Sequence, residues 1–187
     1  MAIDVYAADE QSDCDVELAT WTALARAVLE DRGVKADAEL SILFVDEPAI
    51  ASLNEKFMDR DGPTDVLAFP IEDAPIPGGR YPDSCGPGPD AGAQFEAGND
   101  EDPPLLIGDV VICPAVATRN ATEHGVSLSD ELALLVVHGI LHLLGMDHED
   151  DSDAALMEGA ERQILERHYV AGRSSRPGCR DGDTADG

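Results

Sequence analysis

His138, His142 and His148 are three of the chain's five histidines, and they lie within eleven residues of one another. On an α-helix, side chains four residues apart leave the same face, about 6 Å apart along the axis. Gly145 suits the left-handed residue that ends a helix, so the chain can turn there and bring His148 back toward the pair. Three neutral imidazoles about 2.0–2.1 Å from one ion leave a fourth tetrahedral position for water, as in a catalytic zinc site. The spacing therefore predicts one zinc ion per chain, held by His138, His142 and His148.

The residues around His138 and His142 favour a metal-binding role for these two histidines over the role of ordinary core residues. A single histidine on an apolar helix is more often a hydrogen-bonded core residue. The flanking positions are apolar nearly all round, which predicts a buried helix: Leu132, Leu135, Val136, Ile140, Leu141, Leu143 and Leu144. Imidazoles buried there need a polar partner, which a metal ion supplies. Three imidazoles also suit nickel, copper or iron, so the identity of the metal stays open.

The residue after the first histidine bears on peptidase chemistry. Zinc peptidases also carry two histidines four apart, but as H-E-x-x-H, and the glutamate is the general base. Gly139 occupies that position here. Peptide hydrolysis by this route is therefore disfavoured, although Asp147, Glu149 or Asp150 could approach from another side.

Two aspartates have two interpretations each. Asp147 could orient a ligand imidazole by accepting a hydrogen bond from its other ring nitrogen. It could equally cap the turn, because aspartate readily bonds its own backbone there. Asp109 is similarly ambiguous: it could contribute to the site, or it could satisfy a nearby backbone group, as a polar side chain on an apolar strand often does. Beyond a water on the metal, the residues identify no catalytic group.

The elements that must position these residues follow from the hydrophobic pattern. We expect strands at 3–5, 39–45, 65–69 and 105–112, and helices at 15–32, 48–57 and 114–125. Ser127 begins the histidine helix in a capping-box spacing with Asp130, and Ser152 begins a last helix at about 153–170. The order β-α-β-α-β-β-α-α-α predicts one α+β domain over residues 1–170, with its sheet backed by helices and the metal site on a core helix and the following turn. Residues 72–104 are expected to be a disordered insertion, and 171–187 a disordered tail.

Charge and composition limit the function classes. The formal net charge is −27, and most of it lies outside the insertion and the tail. Such a surface repels phosphate backbones at long range, which argues against general nucleic-acid binding. The four cysteines form no C-x-x-C pair, which predicts a reduced, cytoplasmic protein. We expect no signal peptide and no membrane-spanning segment, and no organic cofactor is indicated.

Three ordered blocks resemble the YbeY family, bacterial endoribonucleases of ribosomal RNA maturation. Residues 138–148 match its H-G-x-L-H-L-x-G-x-D-H signature. Residues 62–70, Gly-Pro-Thr-Asp-Val-Leu-Ala-Phe-Pro, resemble its P-T-[ND]-V-L-S-F-P block, and residues 106–113 resemble its L-L-G-D-[IV]-x-I-C strand. The insertion and the tail lie outside the resemblance.

The resemblance implies a single-strand-specific, metal-dependent endoribonuclease with zinc on His138, His142 and His148. It implies roles in 16S rRNA 3′-end maturation and ribosome quality control, with ribosomal RNA and the small ribosomal subunit as partners. The implied fold is a small α+β domain with a mixed sheet. Whether water or a ribose 2′-hydroxyl attacks phosphorus stays open.

One position departs from the family pattern. Many members carry an arginine, thought to meet RNA, five residues before the proline of the P-T-[ND]-V block. That position is Met58 here. Arg60 and Arg119 are the candidates for substrate binding, and for each the alternative is an ordinary solvated arginine.

Two other functions fit some of these observations. A zinc-dependent peptidase or amidase is favoured by the histidine geometry and opposed by Gly139. A non-catalytic ribosome-assembly factor with structural zinc is favoured by the acidity and by Met58.

Overall fold

Four strands and five helices follow one another in the predicted order, within the residues that the computed structural model describes: 2–34, 37–71, 104–146 and 151–169. The strands are β1 (Ile3–Asp9), β2 (Ala38–Phe44), β3 (Val66–Pro70) and β4 (Leu105–Ile112). The helices are α1 (Leu18–Asp31), α2 (Glu47–Met58), α3 (Pro114–His124), α4 (Leu128–Leu143) and α5 (Asp151–Ile164), which continues into a π-helical turn (Leu165–Tyr169). Nearly all of the predicted insertion, the predicted tail, and Asp147 and His148 lie outside the described residues.

The sheet is mixed, as predicted, with the strand order β1-β2-β4-β3. β1, β2 and β4 run parallel, and β3 pairs antiparallel with β4. One irregularity interrupts the β2–β4 ladder. Glu39 pairs with Leu106 and Leu40 with Gly108, so Ile107 is an extra residue in β4. Gly108, the next residue, has φ +141°, a conformation that favours glycine.

Apolar side chains on the two faces of the sheet form two separate clusters. Because side chains alternate along a strand, every second residue of β2 faces the same side. Those residues, from Ala38 to Phe44, are buried in the larger cluster together with residues of α1, α4 and α5. The smaller cluster lies on the opposite face and includes Ile50 of α2, Leu67 of β3 and Val111 of β4. The sheet therefore has helices on both faces, with most of the core on the side of α4.

Helix α4 is buried along most of its length and is capped at both ends as predicted. The Ser127 hydroxyl accepts a hydrogen bond from the amide of Asp130 (3.1 Å) and contacts its carboxylate (2.7 Å). At the other end Gly145 has φ +81°, and the amide of Met146 donates to the carbonyl of Leu141. No described helix is by itself long and apolar enough to cross a bilayer; α3 and α4 together would suffice by length and composition, but they are bent by 114°.

Two predicted helix starts differ from the structure. α1 begins at Leu18 rather than near residue 15, after a stretch in which Gln11 hydrogen-bonds with Asp9 and Cys14. α5 begins at Asp151, so Ser152 lies inside the helix and not at its cap. Both differences concern helix ends, where polar side chains offer the backbone alternative hydrogen bonds.

Asp31 connects the end of α1 to the C-terminal turn. Its carboxylate accepts hydrogen bonds from Arg167 and from Nε2 of His168 (3.2 Å), and its side chain is only 10% exposed. Partial burial acts to raise the pKa of the Asp31 carboxyl, but the hydrogen bonds from His168 and Arg167 outweigh it and hold that pKa below its ordinary value.

We therefore expect Asp31→Asn to lower the free energy of unfolding at pH 7 and to lose that effect in acid. The folded state favours the ionised carboxylate, so its contribution is complete above the unfolded-state pKa, about 3.9, and disappears as the pH falls through the lower folded-state value. Urea unfolding of both proteins at pH 7, 5 and 3 measures this. A deficit in Asp31→Asn that is as large at pH 3 as at pH 7 would contradict the argument.

Candidate metal centre and its cleft

His138 and His142 turn their rings toward one another on α4. Their Nε2 atoms are 3.0 Å apart, the ring centroids are 4.5 Å apart, and the ring planes meet at 82°. Both residues lie in the C-terminal half of α4, four residues and about one helical turn apart, as the sequence predicts. The two Nε2 atoms thereby lie close together beside the helix.

This pair fits two positions of a metal ion's coordination shell. Two nitrogens bound at about 2.0–2.1 Å in a tetrahedron are about 3.3 Å apart, a few tenths of an ångström from the distance seen here. Among the described residues, no group of three or more His, Cys, Asp or Glu side chains is placed to hold a metal ion. The predicted third ligand, His148, lies outside those residues, and so does Asp147. The metal and its third ligand therefore stay predictions.

Glu161 of α5 contacts the other nitrogen of His138. Its Oε1 lies 2.7 Å from Nδ1 of His138, and the two side chains are 12% and 28% exposed. Glu161 lies on the apolar face of α5 with Met157, Ala160 and Ile164, all of them buried against the core. Glu161 therefore belongs to a helix that is packed against the core, and its carboxylate is not that of a mobile surface side chain.

A cleft of about 380 Å³ opens beside His138, between β3, α4 and α5. Its polar lining residues are Asp65, His124, Glu131, His138, Glu158 and Glu161. Glu131 is only 3% exposed, and its Oε2 lies 3.3 Å from Nδ1 of His124, whose ring is largely exposed. Asp65 accepts a hydrogen bond from the side-chain amide of Asn120 (3.0 Å). The volume lies in the range of small-ligand pockets.

The lining of this cleft is strongly acidic. It contains four carboxylates, and it contains neither lysine nor arginine among the described residues. An anionic ligand entering such a space would be repelled unless a cation compensated the charge. The cleft thus has the electrostatic character of a cation-binding space.

Gly139, the residue that separates this sequence from H-E-x-x-H peptidases, lies against the sheet. A Cβ placed there would be 2.6 Å from Cγ1 of Val110 and 3.4 Å from Cγ2 of Val66. The position therefore faces β3 and β4 and leaves no space for a glutamate. Close packing of α4 on the sheet is a physical reason for the glycine.

The two candidate substrate arginines lie outside the described cleft lining. Arg119 of α3 forms a two-pronged ion pair with Glu47 at the start of α2, with N–O distances of 2.6 and 3.0 Å. The hydrogen bonds from Arg119 lower the pKa of Glu47, and the same contact raises the pKa of Arg119. Arg60 follows α2 and is exposed, and so is Met58 at the end of that helix. Their roles in substrate binding stay predictions.

Asp109 also lies away from the histidines. It pairs with Phe69 of β3 and alternates with Val110, whose side chain meets α4. Its side chain therefore belongs to the opposite face of the sheet.

Sequence reasoning missed Glu161, Glu131 and His124. Glu161 had a signal, because Met157, Ala160, Glu161 and Ile164 follow the spacing of one helix face, which places a carboxylate on an apolar stripe. Glu131 is likewise a carboxylate on a helix predicted to be buried. A charged residue at such a position needs a partner. Which partner it finds depends on how the helices pack.

Comparison with known proteins places this arrangement in a family. The model of the family described as endoribonuclease YbeY matches residues 6–169. The endoribonuclease YbeY of Salinispora tropica is 42% identical over 155 residues (83% of this chain and 90% of that protein), and that of Beutenbergia cavernae is 42% identical over 163 residues (87% and 95%). A protein of Thermotoga maritima, TM1509, has a similar solution structure, with a TM-score of 0.57 and 24% identity over 95% of this chain and all of that one. The chain belongs to the endoribonuclease YbeY family.

Proposed function

We propose that the chain is a zinc-dependent endoribonuclease that cleaves single-stranded RNA in the cleft beside His138 and His142. The observation that carries the proposal is the pair of Nε2 atoms 3.0 Å apart at an acidic cleft, in a chain of an endoribonuclease family. His138, His142 and His148 would hold one zinc ion. The ribosomal roles implied by the resemblance complete the proposal: 16S rRNA 3′-end maturation and ribosome quality control, in the cytoplasm and in contact with the small subunit.

The charge of the cleft supports a metal-dependent reaction on a phosphodiester. A zinc ion held there would polarise a phosphoryl oxygen and lower the pKa of the water that it binds. The carboxylates of Asp65, Glu131 and Glu161 would otherwise repel the phosphate. The zinc ion would compensate this negative charge only at the histidines. RNA would therefore bind in the cleft only where its phosphate meets the metal.

The residues of the chain would then bind and orient the substrate. His138 and His142 project from a helix that is buried and capped at both ends, so their nitrogens are fixed relative to the cleft. His124, whose Nδ1 lies 3.3 Å from Oε2 of Glu131, faces the same space with a largely exposed imidazole. Val66, Leu135 and Met157 give one side of the cleft an apolar surface.

The packing of Gly139 disfavours the peptidase alternative. In H-E-x-x-H peptidases the general base is the residue that follows the first histidine. Here that position meets Val110 and points into the core. Peptide hydrolysis would need a different base.

Removing and restoring the metal tests the proposal. Protein purified without affinity metal is analysed for its metal content and treated with a chelator. It is then incubated with an RNA that contains both single-stranded loops and a duplex, and in parallel with casein. We expect cleavage of the RNA in its loops, loss of cleavage on chelation, and recovery when stoichiometric zinc is added.

The other outcomes identify the competing functions. Zinc-dependent cleavage of casein with intact RNA would indicate a peptidase. Bound zinc that raises the unfolding temperature, with no cleavage of either substrate, would indicate an assembly factor. Metal-free protein that cleaves RNA as fast as zinc-loaded protein would refute metal dependence.

A further inference from the structure

We infer that Glu161 is a positioning residue that fixes the tautomer of His138 and thereby sets the affinity of the centre for zinc. The inference rests on the proposed function, because it concerns the metal that the histidines would hold. It adds a residue of α5 to a site otherwise built from α4 and the turn that follows it.

The contact between Glu161 and His138 determines which ring nitrogen carries the proton. An ionised carboxylate only accepts hydrogen bonds, so Nδ1 of His138, 2.7 Å away, must be the donor. A neutral imidazole has one N–H group, so the lone pair of the same ring then lies on Nε2. That nitrogen is the one directed at Nε2 of His142. The contact therefore presents His138 in the form that a metal requires.

The position of Glu161 is rigid enough for this role. Its side chain is 12% exposed, and Met157 and Ile164 on the same face of α5 are 2% and 0% exposed. The carboxylate is therefore confined between α5 and α4 at the edge of the cleft. Exposed ion pairs contribute little because their side chains are free to move, whereas this one is confined. In metal sites, carboxylates that bond the second nitrogen of a ligand histidine typically change metal affinity by about 10–100-fold.

A purely structural role is the alternative, in which Glu161 only connects two helices. Glu161→Leu removes the acceptor, and Glu161→Gln keeps a neutral one of similar shape. Glu158→Leu is the matched control, because Glu158 lies on the same helix, lines the same cleft and is exposed. It removes the same charge from the cleft.

The experiment measures zinc affinity by competition with a chromophoric chelator, together with the unfolding temperature of each metal-free protein. We expect Glu161→Leu to bind zinc about 10–100-fold more weakly, with Glu161→Gln between it and the wild type. Glu158→Leu should change the affinity by no more than about twofold, as expected for an exposed charge. In the metal-free wild type, ¹⁵N shifts of His138 should show protonated Nδ1, and Glu161→Leu should move the ring toward the other tautomer.

Three results would overturn the inference. Wild-type zinc affinity in Glu161→Leu would remove the positioning role. Equal losses in Glu161→Leu and Glu161→Gln that follow the unfolding temperature would assign Glu161 to stability alone. A wild-type protein that binds no zinc would refute both this inference and the proposed function, whereas zinc-dependent RNA cleavage with unchanged affinity in Glu161→Leu would refute the inference only.

Discussion

Replacing His142 with alanine is expected to reduce zinc-dependent RNA cleavage by at least about 10³-fold, or about 4 kcal/mol of transition-state stabilisation. The variant loses one of the two nitrogens that meet 3.0 Å apart, and the remaining ligands would hold the ion loosely and in altered geometry. Single-turnover cleavage at saturating RNA, measured over a range of zinc concentrations, separates weaker metal binding from slower chemistry. Excess zinc should recover only part of the rate.

His168→Ala is the matched control for this variant. His168 lies in the C-terminal turn and contacts Asp31, away from the cleft. Its loss removes a hydrogen bond to Asp31 and should lower the unfolding temperature slightly. The cleavage rate should stay within about twofold, because the substitution lies away from the cleft. If His142→Ala cleaved RNA as fast as His168→Ala at equal zinc, the pair on α4 could not be the centre of the reaction.

The part of the site that the sequence predicted depends on local geometry. The spacing of His138 and His142 placed them on one face because helical geometry requires it, and Ser127 and Gly145 limit the helix through short-range hydrogen bonds. The alternation in β2 and the apolar run in β4 located strands for the same reason. Each of these features involves residues only a few positions apart.

The part that could not be predicted depends on long-range packing. Glu161 reaches His138 across 23 residues, and Arg119 pairs with Glu47 across 72. Neither contact follows from propensity or periodicity, because each depends on which helix faces are brought together. Arg119 illustrates the consequence. Its charge made it a candidate for substrate binding, but it pairs with Glu47, a partner that sequence patterns could not identify.

Gly108→Ala is expected to destabilise the protein by at least about 3 kcal/mol, a large fraction of the stability of a domain this size. Two separate effects destabilise an alanine at this position. Its φ of +141° is unfavourable for alanine, and a Cβ there would be 2.3 Å from the carbonyl oxygen of Phe69. That oxygen belongs to the backbone of β3, so relief requires moving the strand out of its pairing with β4. Urea unfolding measures the loss.

Two other glycines separate these costs. Gly33 has φ +80° with nothing within 4 Å of an added Cβ, so Gly33→Ala should cost about 1 kcal/mol from backbone strain alone. Gly139→Ala meets Val110 at 2.6 Å on a helix without a positive φ, and should cost about 1–3 kcal/mol from overpacking. If Gly108→Ala were as stable as Gly33→Ala, β3 would be able to move away from the added Cβ without a loss of stability. β3 begins at Val66, which lines the cleft together with Asp65. A displaced β3 should therefore also weaken RNA cleavage. At a temperature where both variants are folded, this loss should be larger in Gly108→Ala than in Gly33→Ala.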